Sequence, residues 1–287
     1  MILVTGATGF TGGYVAEEMA RRGIKARCFV RKGSDVQKLK ERGFELFYGD
    51  LSSKDDLKRA LDGADGIINI VSFKEGHVPA LLEAAEEKGI SKALFVSTTA
   101  IFTTLNAESK GMREESERRI TASRLDWIIL RPTMIYGSTG DRNICRLIRA
   151  VRRFPIHPVL GGGDSLMQPI HVKDLANAIL DAYASPKASR AAYNLAGREP
   201  LTYRQCVASV ADALGKKITL VQLPLWLSLG AVRICRNIPG LPKLSDEQVL
   251  RLNEDKAFKY DEATRDFGFA PRGFREGVAE EVAEYFS

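Results

Sequence analysis

The stretch Met1 to Gly12, MILVTGATGFTG, constrains this chain more than any other. Met1 to Val4 is a continuous apolar run, the pattern of a strand buried on both faces of a parallel sheet. Gly6, Gly9 and Gly12 follow at three-residue spacing, and the chain then runs on at helical period to Arg22. A strand that turns through glycine into a helix gathers main-chain amides at one point, where they attract negative charge. Gly6 permits the tight turn, and Gly9, lacking a Cβ, lets the backbone lie close to a diphosphate. A glycine triplet alone does not distinguish a binding loop from an empty turn. The context here does: a strand before, a helix after, and a second apolar strand, Ala26–Val30, about one βαβ unit further on. The turn formed by Gly6, Thr8, Gly9, Phe10, Thr11 and Gly12 is therefore expected to hold a dinucleotide.

Short apolar runs then alternate with helical patterns through the first half. The expected strands are 1–4, 26–30, 45–47, 66–71, 93–97 and 127–130; the expected helices are 11–22, 35–41, 54–61, 78–88 and 108–122. Ser53 with Asp56 three residues on is a helix-start signal of capping-box type. Such alternation predicts an α/β fold, a Rossmann-type doubly wound parallel sheet with ligands beyond the carboxyl ends of its strands. After Gly137 the alternation loosens, and loops are expected at 154–168 and 239–245. We expect a dinucleotide-binding domain over 1–137, rejoined by later segments, and over 138–287 a smaller C-terminal substrate-binding lobe.

Composition narrows the class. A charged fraction of 27% against 45% hydrophobic excludes a disordered or fibrous chain. The net charge of +6 is spread over scattered Lys and Arg, which suits an anionic cofactor or substrate and does not point to nucleic acid. Cys28, Cys145, Cys206 and Cys235 lie far apart and read as reduced thiols of a cytoplasmic protein. His77, His157 and His171 lack metal-ligand spacing, so no metal is expected. A strand beginning at Met1 leaves no room for a signal peptide, and the apolar stretch 218–231 is too short for a transmembrane segment.

The adenosine ribose of a dinucleotide lies at the end of the second strand, where an acid selects NAD and a cation pairs with the 2′-phosphate of NADP. Here Arg31 and Lys32 stand there, with no carboxylate before Asp35. NADP(H) is expected over NAD(H).

The motif T-G-A-T-G-F-T-G resembles the short-chain dehydrogenase/reductase superfamily in its extended and atypical branches. These include nucleotide-sugar epimerases and dehydratases, NmrA-like NADPH sensors and isoflavone-reductase-like enzymes. Further segments are similar: Gly49-Asp50-Leu51, the 125–132 run LDWIILRP, Met134-Ile135-Tyr136-Gly137, the 168–176 run QPIHVKDLA and Phe267-Gly268-Phe269-Ala270-Pro271. The resemblance implies that Asp50 and Leu51 meet the adenine, with a plain helix cap as the local alternative for Asp50. It also implies that Val71 and Ser72 line the diphosphate and ribose, and that Ser97, Pro132 and Met134 approach the nicotinamide.

Relatives transfer a proton with a Ser or Thr after the fifth strand and a Tyr-x-x-x-Lys on the next helix. Ser97, Thr98 and Thr99 supply the first part. Counting back from Glu117 puts Arg113 at the lysine position and Ser109 at the tyrosine position; the frame using Lys110 puts Asn106 there instead. An alkyl hydroxyl is a far weaker acid than a phenol, and arginine does not deprotonate at neutral pH. Tyr136 is the nearest other phenol, at a position relatives use for packing. On the substrate side, Asp174 is expected to cap the helix 175–183, His171 to pack, and Gly161-Gly162-Gly163-Asp164 to form a loop near substrate. Arg142, Arg146, Arg149 and Arg153 share one face of the helix 143–153, either solvated or an electropositive rim for a phosphorylated substrate. Residues 223–238 read as an amphipathic helix, with a buried lobe helix, a lid, a partner surface or a membrane contact as its uses.

These features describe an NADP-binding atypical oxidoreductase, or an epimerase- or dehydratase-like enzyme, without the usual Tyr-x-x-x-Lys pair. Its substrate would be a small molecule with a carbonyl, a sugar-nucleotide or a lipid-like body. The alternative is a non-enzymatic NADPH-binding sensor, assembly factor or scaffold.

Overall fold

The runs of apolar residues in the first half become the strands of one sheet. In the computed structural model, residues 1–105, 108–224, 226, 227, 230 and 254–286 are described. Strands β1 (Ile2–Thr5), β2 (Ala26–Val30), β3 (Glu45–Tyr48), β4 (Gly66–Asn69), β5 (Lys92–Val96) and β6 (Asp126–Pro132) are parallel and joined by helical crossovers. The crossover helices are α1 (Phe10–Arg21), α2 (Gln37–Glu41), α3 (Lys54–Ala60), α4 (Val78–Glu87) and α5 (Glu108–Ala122). The central strands have no polar face: all four residues of β4 are buried, as are the last four of β5.

Beyond β6 the chain forms β7 (Ile135–Tyr136), α6 (Ile144–Arg153), β8 (Ile156–Leu160), β9 (Leu166–Met167), β10 (Ile170–His171) and α7 (Val172–Ala184). It then returns as β11 (Ala191–Leu195), which pairs in parallel with β6. The sheet therefore has seven strands, in the order β11-β6-β5-β4-β1-β2-β3. It is a Rossmann-like α/β fold whose order reverses between β1 and β4, the point where such sheets take ligands. After β12 (Leu201–Thr202) come α8 (Tyr203–Ala213), β13 (Thr219–Leu223), α9 (Asp261–Phe267) and α10 (Phe274–Phe286).

Three apolar cores result. One, including Val15, Met19, Leu175 and Ile179, packs α1 and α7 on one face of the sheet. The second, including Leu57, Leu81, Leu82 and Ile120, packs α3, α4 and α5 on the other. The third joins α6, α8 and α10 through Ile148, Val207, Val210 and Val278. Among the described residues no helix is long and apolar enough to cross a membrane.

Several local expectations change. The 154–168 segment is not an irregular loop but carries β8 and β9, and β8 pairs in parallel with β13. Pro158 sits within β8 at an exposed position of this two-stranded ribbon, where a missing N–H is tolerated. Leu223 ends β13 rather than starting a helix; residues 225, 228, 229 and 231–253, including Cys235 and the expected 239–245 loop, lie outside the described residues. Ser53 does cap α3, accepting from the Asp56 amide at 3.2 Å.

Candidate functional site: a glycine turn and a cleft beyond the strand ends

The turn after β1 is shaped by contacts that only glycine allows. Gly6 has φ +81°, and a Cβ there would press on Val71 at 3.1 Å. A Cβ on Gly12 would lie 1.9 Å from the Gly6 carbonyl oxygen, so α1 enters directly against the turn. Gly9 is the N-cap of α1 and brings no side chain to satisfy the first amides of the helix. Those amides form a cradle of the kind that binds a pyrophosphate, and Thr8 and Gly9 are exposed above it. Below the turn, Asn69 Oδ1 accepts from the Thr5 hydroxyl at 2.7 Å and lies 2.7 Å from His77 Nε2. Burial pushes the His77 imidazole down to about 4, so it is neutral and structural.

Further along the strand ends, Arg31 and Lys32 are exposed and have no ion-pair partner among the described residues. Asp50 is not the cap of α3. Its Oδ1 accepts from the Ser52 amide at 2.9 Å and hydroxyl at 2.8 Å, which holds its carboxyl below the usual range. Leu51 packs against the α3–α4 core, and Ser72 Oγ accepts from the Lys74 amide at 3.5 Å.

Two connected hollows lie over the carboxyl ends of β5 and β6. The smaller, about 600 Å³, is bordered by Phe10, Ile135, Gly140 and Asp141; it shares Thr133, Arg142 and Asn143 with the larger. The larger, about 690 Å³, has apolar walls that include Phe102, Met134, Leu147, Met167 and Phe258. Arg142 and Arg146 are exposed at its edge. One side is closed by the 254–258 segment. Glu254 accepts from the Thr104 amide at 2.7 Å, Phe258 donates its amide to Gln168 Oε1 at 2.9 Å, and its ring lies 5.7 Å from Phe102.

The three hydroxyls after β5 differ in what they have left to give. Ser97 donates to Glu117 Oε1 at 2.5 Å, and Glu117 in turn accepts from Arg131, from Nε at 3.0 and 3.1 Å and from Nη2 at 2.5 Å. Thr99 donates to the Pro132 carbonyl at 3.3 Å. Thr98 instead accepts from the Ala100 amide at 3.2 Å, so its own proton is uncommitted among the described residues, and it lines the larger hollow.

Ser109 and Arg113 both fall on α5; the Ser109 side chain and Asn106 lie outside the described residues, and Arg113 is half-buried. Lys110 donates to the Thr103 carbonyl at 2.8 Å. Tyr136 does not border the hollow. It is fully buried, edge-on to His171 at 5.2 Å and 5.1 Å from Phe274, with its hydroxyl against Gly277 and its pKa pushed up by burial. Asp174 does not cap α7: the N-cap is His171, whose Nδ1 accepts from the Lys173 amide at 3.3 Å. Asp174 instead holds Arg272, through its amide at 2.9 Å and its guanidinium at 3.0 Å. The cap fell to His171 because α7 starts three residues earlier than the apolar pattern suggests.

The polar pair that sequence reasoning missed is Tyr203 and His157. The phenol oxygen lies 2.8 Å from His157 Nε2, and both residues line the hollow. Burial pushes the phenol up to about 12 and the imidazole below its ordinary value, so both are neutral at physiological pH. Thr202 and Gln205 form a capping box at the start of α8, a pattern that would have marked Tyr203 as a first-turn residue. Nothing local links it to His157, 46 positions away.

A family model described as NAD(P)H-binding matches residues 6–186. Ceramide reductase of Caulobacter vibrioides is 28% identical over 238 residues, 78% of this chain and 74% of that protein. The photosystem II assembly factor of Trieres chinensis is 22% identical over 237 residues, 79% of this chain and 73% of its own length. An NADPH-dependent quinone oxidoreductase of Escherichia coli shares the fold over 100% of both chains, with a TM-score of 0.79 and 21% identity.

Proposed function

The chain belongs to the NAD(P)H-binding family, and on that premise we propose that it is an NADPH-dependent reductase of the short-chain dehydrogenase/reductase superfamily. Its substrate is a carbonyl compound with an apolar body and an anionic end. The observation that carries this reading is the hollow of about 690 Å³, apolar along its walls and lined by Thr98 from the end of β5, by Tyr203 and His157, and by two arginines at the edge. The likeness to ceramide reductase supports an apolar substrate. Arg142 and Arg146, with no ion-pair partner among the described residues, suit a phosphate or carboxylate; a sugar-nucleotide would use the same two cations but leave the apolar walls unmatched.

The residues at the turn and the strand ends fit the dinucleotide. Gly6, Thr8, Gly9, Phe10, Thr11 and Gly12 would surround the pyrophosphate, Arg31 and Lys32 the 2′-phosphate, and Asp50 and Leu51 the adenine. Val71, Ser72, Ser97, Pro132 and Met134 would follow the chain of contacts to the nicotinamide. When bound, NADPH supplies a hydride to the carbonyl carbon. Thr98 donates its hydrogen bond to the carbonyl oxygen. Tyr203 keeps its proton at neutral pH and passes it to that oxygen as negative charge develops, so that one C–H and one O–H bond form and the carbonyl becomes an alcohol. His157 orients the phenol and, from Nε2, stabilises the phenolate left behind. Ser97, its proton given to Glu117, and the buried Tyr136 take no part in proton transfer.

A second reading, a non-enzymatic NADPH-binding protein, draws on two points: counted back from Glu117, Ser109 and Arg113 take the positions where the resemblance implies tyrosine and lysine, and one relative is an assembly factor. The test is NADPH oxidation with long-chain ketones and keto-lipids. Tyr203→Phe should lower kcat by about a hundredfold or more while NADPH affinity stays the same. Tight NADPH binding without turnover of any carbonyl would favour the non-enzymatic reading instead.

A further inference from the structure

The ribbon of β8 and β13 has two unlike faces. Its inner side carries His157 and Val159, both buried, and His157 lines the hollow. In parallel register Ile156 stands beside Thr219 and Pro158 beside Val221, and all four are exposed on the outer side. Phe154 precedes this face and Trp226 and Leu227 follow it. Exposures of 54% for Phe154, 58% for Ile156, 41% for Val221, 71% for Trp226 and 42% for Leu227 make an unusual concentration of bare apolar area.

The surrounding charge is predominantly positive, with Asp141, Asp164 and Asp212 only just beyond the ends of the two segments concerned. Segments 142–163 and 213–227 carry Arg142, Arg146, Arg149, Arg152, Arg153, Lys216 and Lys217 and not one Asp or Glu. The cations adjoin the apolar residues: Arg153 lies 5.6 Å over the Phe154 ring, Arg152 lies 5.0 Å over the Phe286 ring, and Lys216 donates to the Arg152 carbonyl. Large apolar side chains including a tryptophan, beside a cluster of cations that outnumbers the nearby acids, match the boundary between anionic headgroups and acyl chains. A second copy of the chain fits poorly, since a two-fold contact through this face would set arginine against arginine.

We propose that the outer face of the β8–β13 ribbon, with the basic end of α6, docks the protein on an anionic lipid surface. Tryptophan and the aliphatic side chains enter the interface while Arg152, Arg153, Lys216 and Lys217 meet the headgroups. The hollow then opens on the other side of the same ribbon, within reach of an amphiphile leaving the bilayer.

The full chain is mixed with phosphatidylcholine vesicles, with and without phosphatidylglycerol, and floated on a density gradient. Flotation is expected only with the anionic vesicles, weakening as salt rises, with Trp226 emission moving to shorter wavelength. Arg152→Glu with Arg153→Glu should weaken binding by at least about tenfold, and Trp226→Ser with Ile156→Ser should weaken it without removing the salt dependence. NADPH titration of each variant reports that the fold is kept; if either failed it, the salt series on the wild type decides alone. Equal flotation with neutral vesicles, none at low salt, or unchanged binding by the variants would overturn the proposal. So would a stable dimer dispersed by Trp226→Ser, which would make the face a self-interface. None of these readings requires turnover, so the lipid contact and the reductase reading fail independently.

Discussion

At the Gly6–Gly12 turn the chain presents main chain; in the hollow beyond β5 and β6 it presents side chains. The turn works by what is missing. There is no Cβ at Gly12, where one would lie 1.9 Å from the Gly6 oxygen, and no capping side chain at Gly9. In the hollow the hydroxyls differ in what they have left to give: Thr98 keeps its proton among the described residues, the Tyr203 phenol shares a hydrogen bond with His157, and the proton of Ser97 is already given to Glu117. Backbone contacts of the first kind are all-or-none, because nothing can rotate away. Side-chain contacts of the second kind are graded and can be retuned one group at a time.

Gly12→Ala attacks the first kind and should have the largest effect. The clash is with backbone, so α1 must move off the turn. NADPH affinity should fall by at least about a hundredfold in a fluorescence titration; near-normal affinity would show that the turn is more yielding than its contacts imply. Arg131→Met leaves Glu117, 7% exposed, without its cation. Thermal or urea unfolding should register a loss of about 3 kcal/mol, while NADPH affinity at the distant turn stays unchanged; a parallel loss of affinity would mean the two regions are coupled. Arg31→Glu is a graded change at the edge of the dinucleotide site. It should lower the preference for NADPH over NADH by about tenfold, and a variant keeping its preference would move the 2′-phosphate elsewhere.

A further effect concerns pH. Glu281, buried in α10, accepts from the Gly137 amide at 3.1 Å, and burial together with the Asp141 carboxyl pushes it from 4.5 up to about 9. Between those values the folded protein holds a proton that the unfolded chain releases, so this site's stability is complete at acid pH and is lost as pH rises through about 9. Glu281→Gln should flatten the decline of Tm between neutral pH and pH 9; an unchanged slope would place the proton on another group.

The dinucleotide half was readable because its signals are local. A strand buried on both faces is an unbroken apolar run, and LFV at 94–96 or WIIL at 127–130 admits little else. The glycine turn likewise declares itself within seven residues, Gly6 to Gly12. Of the hollow's polar groups Thr98, following the apolar run of β5, was legible, whereas His157, from a ribbon strand that contains Pro158, and Tyr203, from the first turn of α8, come from places that no local signal links. β8 escaped notice because exposed and buried residues alternate along it over only five positions with a proline among them. Asp174 misled for a similar reason. A carboxylate before an apolar helical run looks like a cap, but its partner, Arg272, lies 98 residues away.

The seventh strand of the sheet is supplied by β11, which the chain reaches only after passing through β7–β10, α6 and α7. A fragment ending at Gly137 would carry the complete glycine turn yet leave β6 as a bare edge, its five pairing positions along β11 open to any passing strand. Cutting the gene at the apparent seam should therefore yield inclusion bodies rather than a minimal coenzyme binder. Exchange of the lobe among homologues would have to carry β11 along with it.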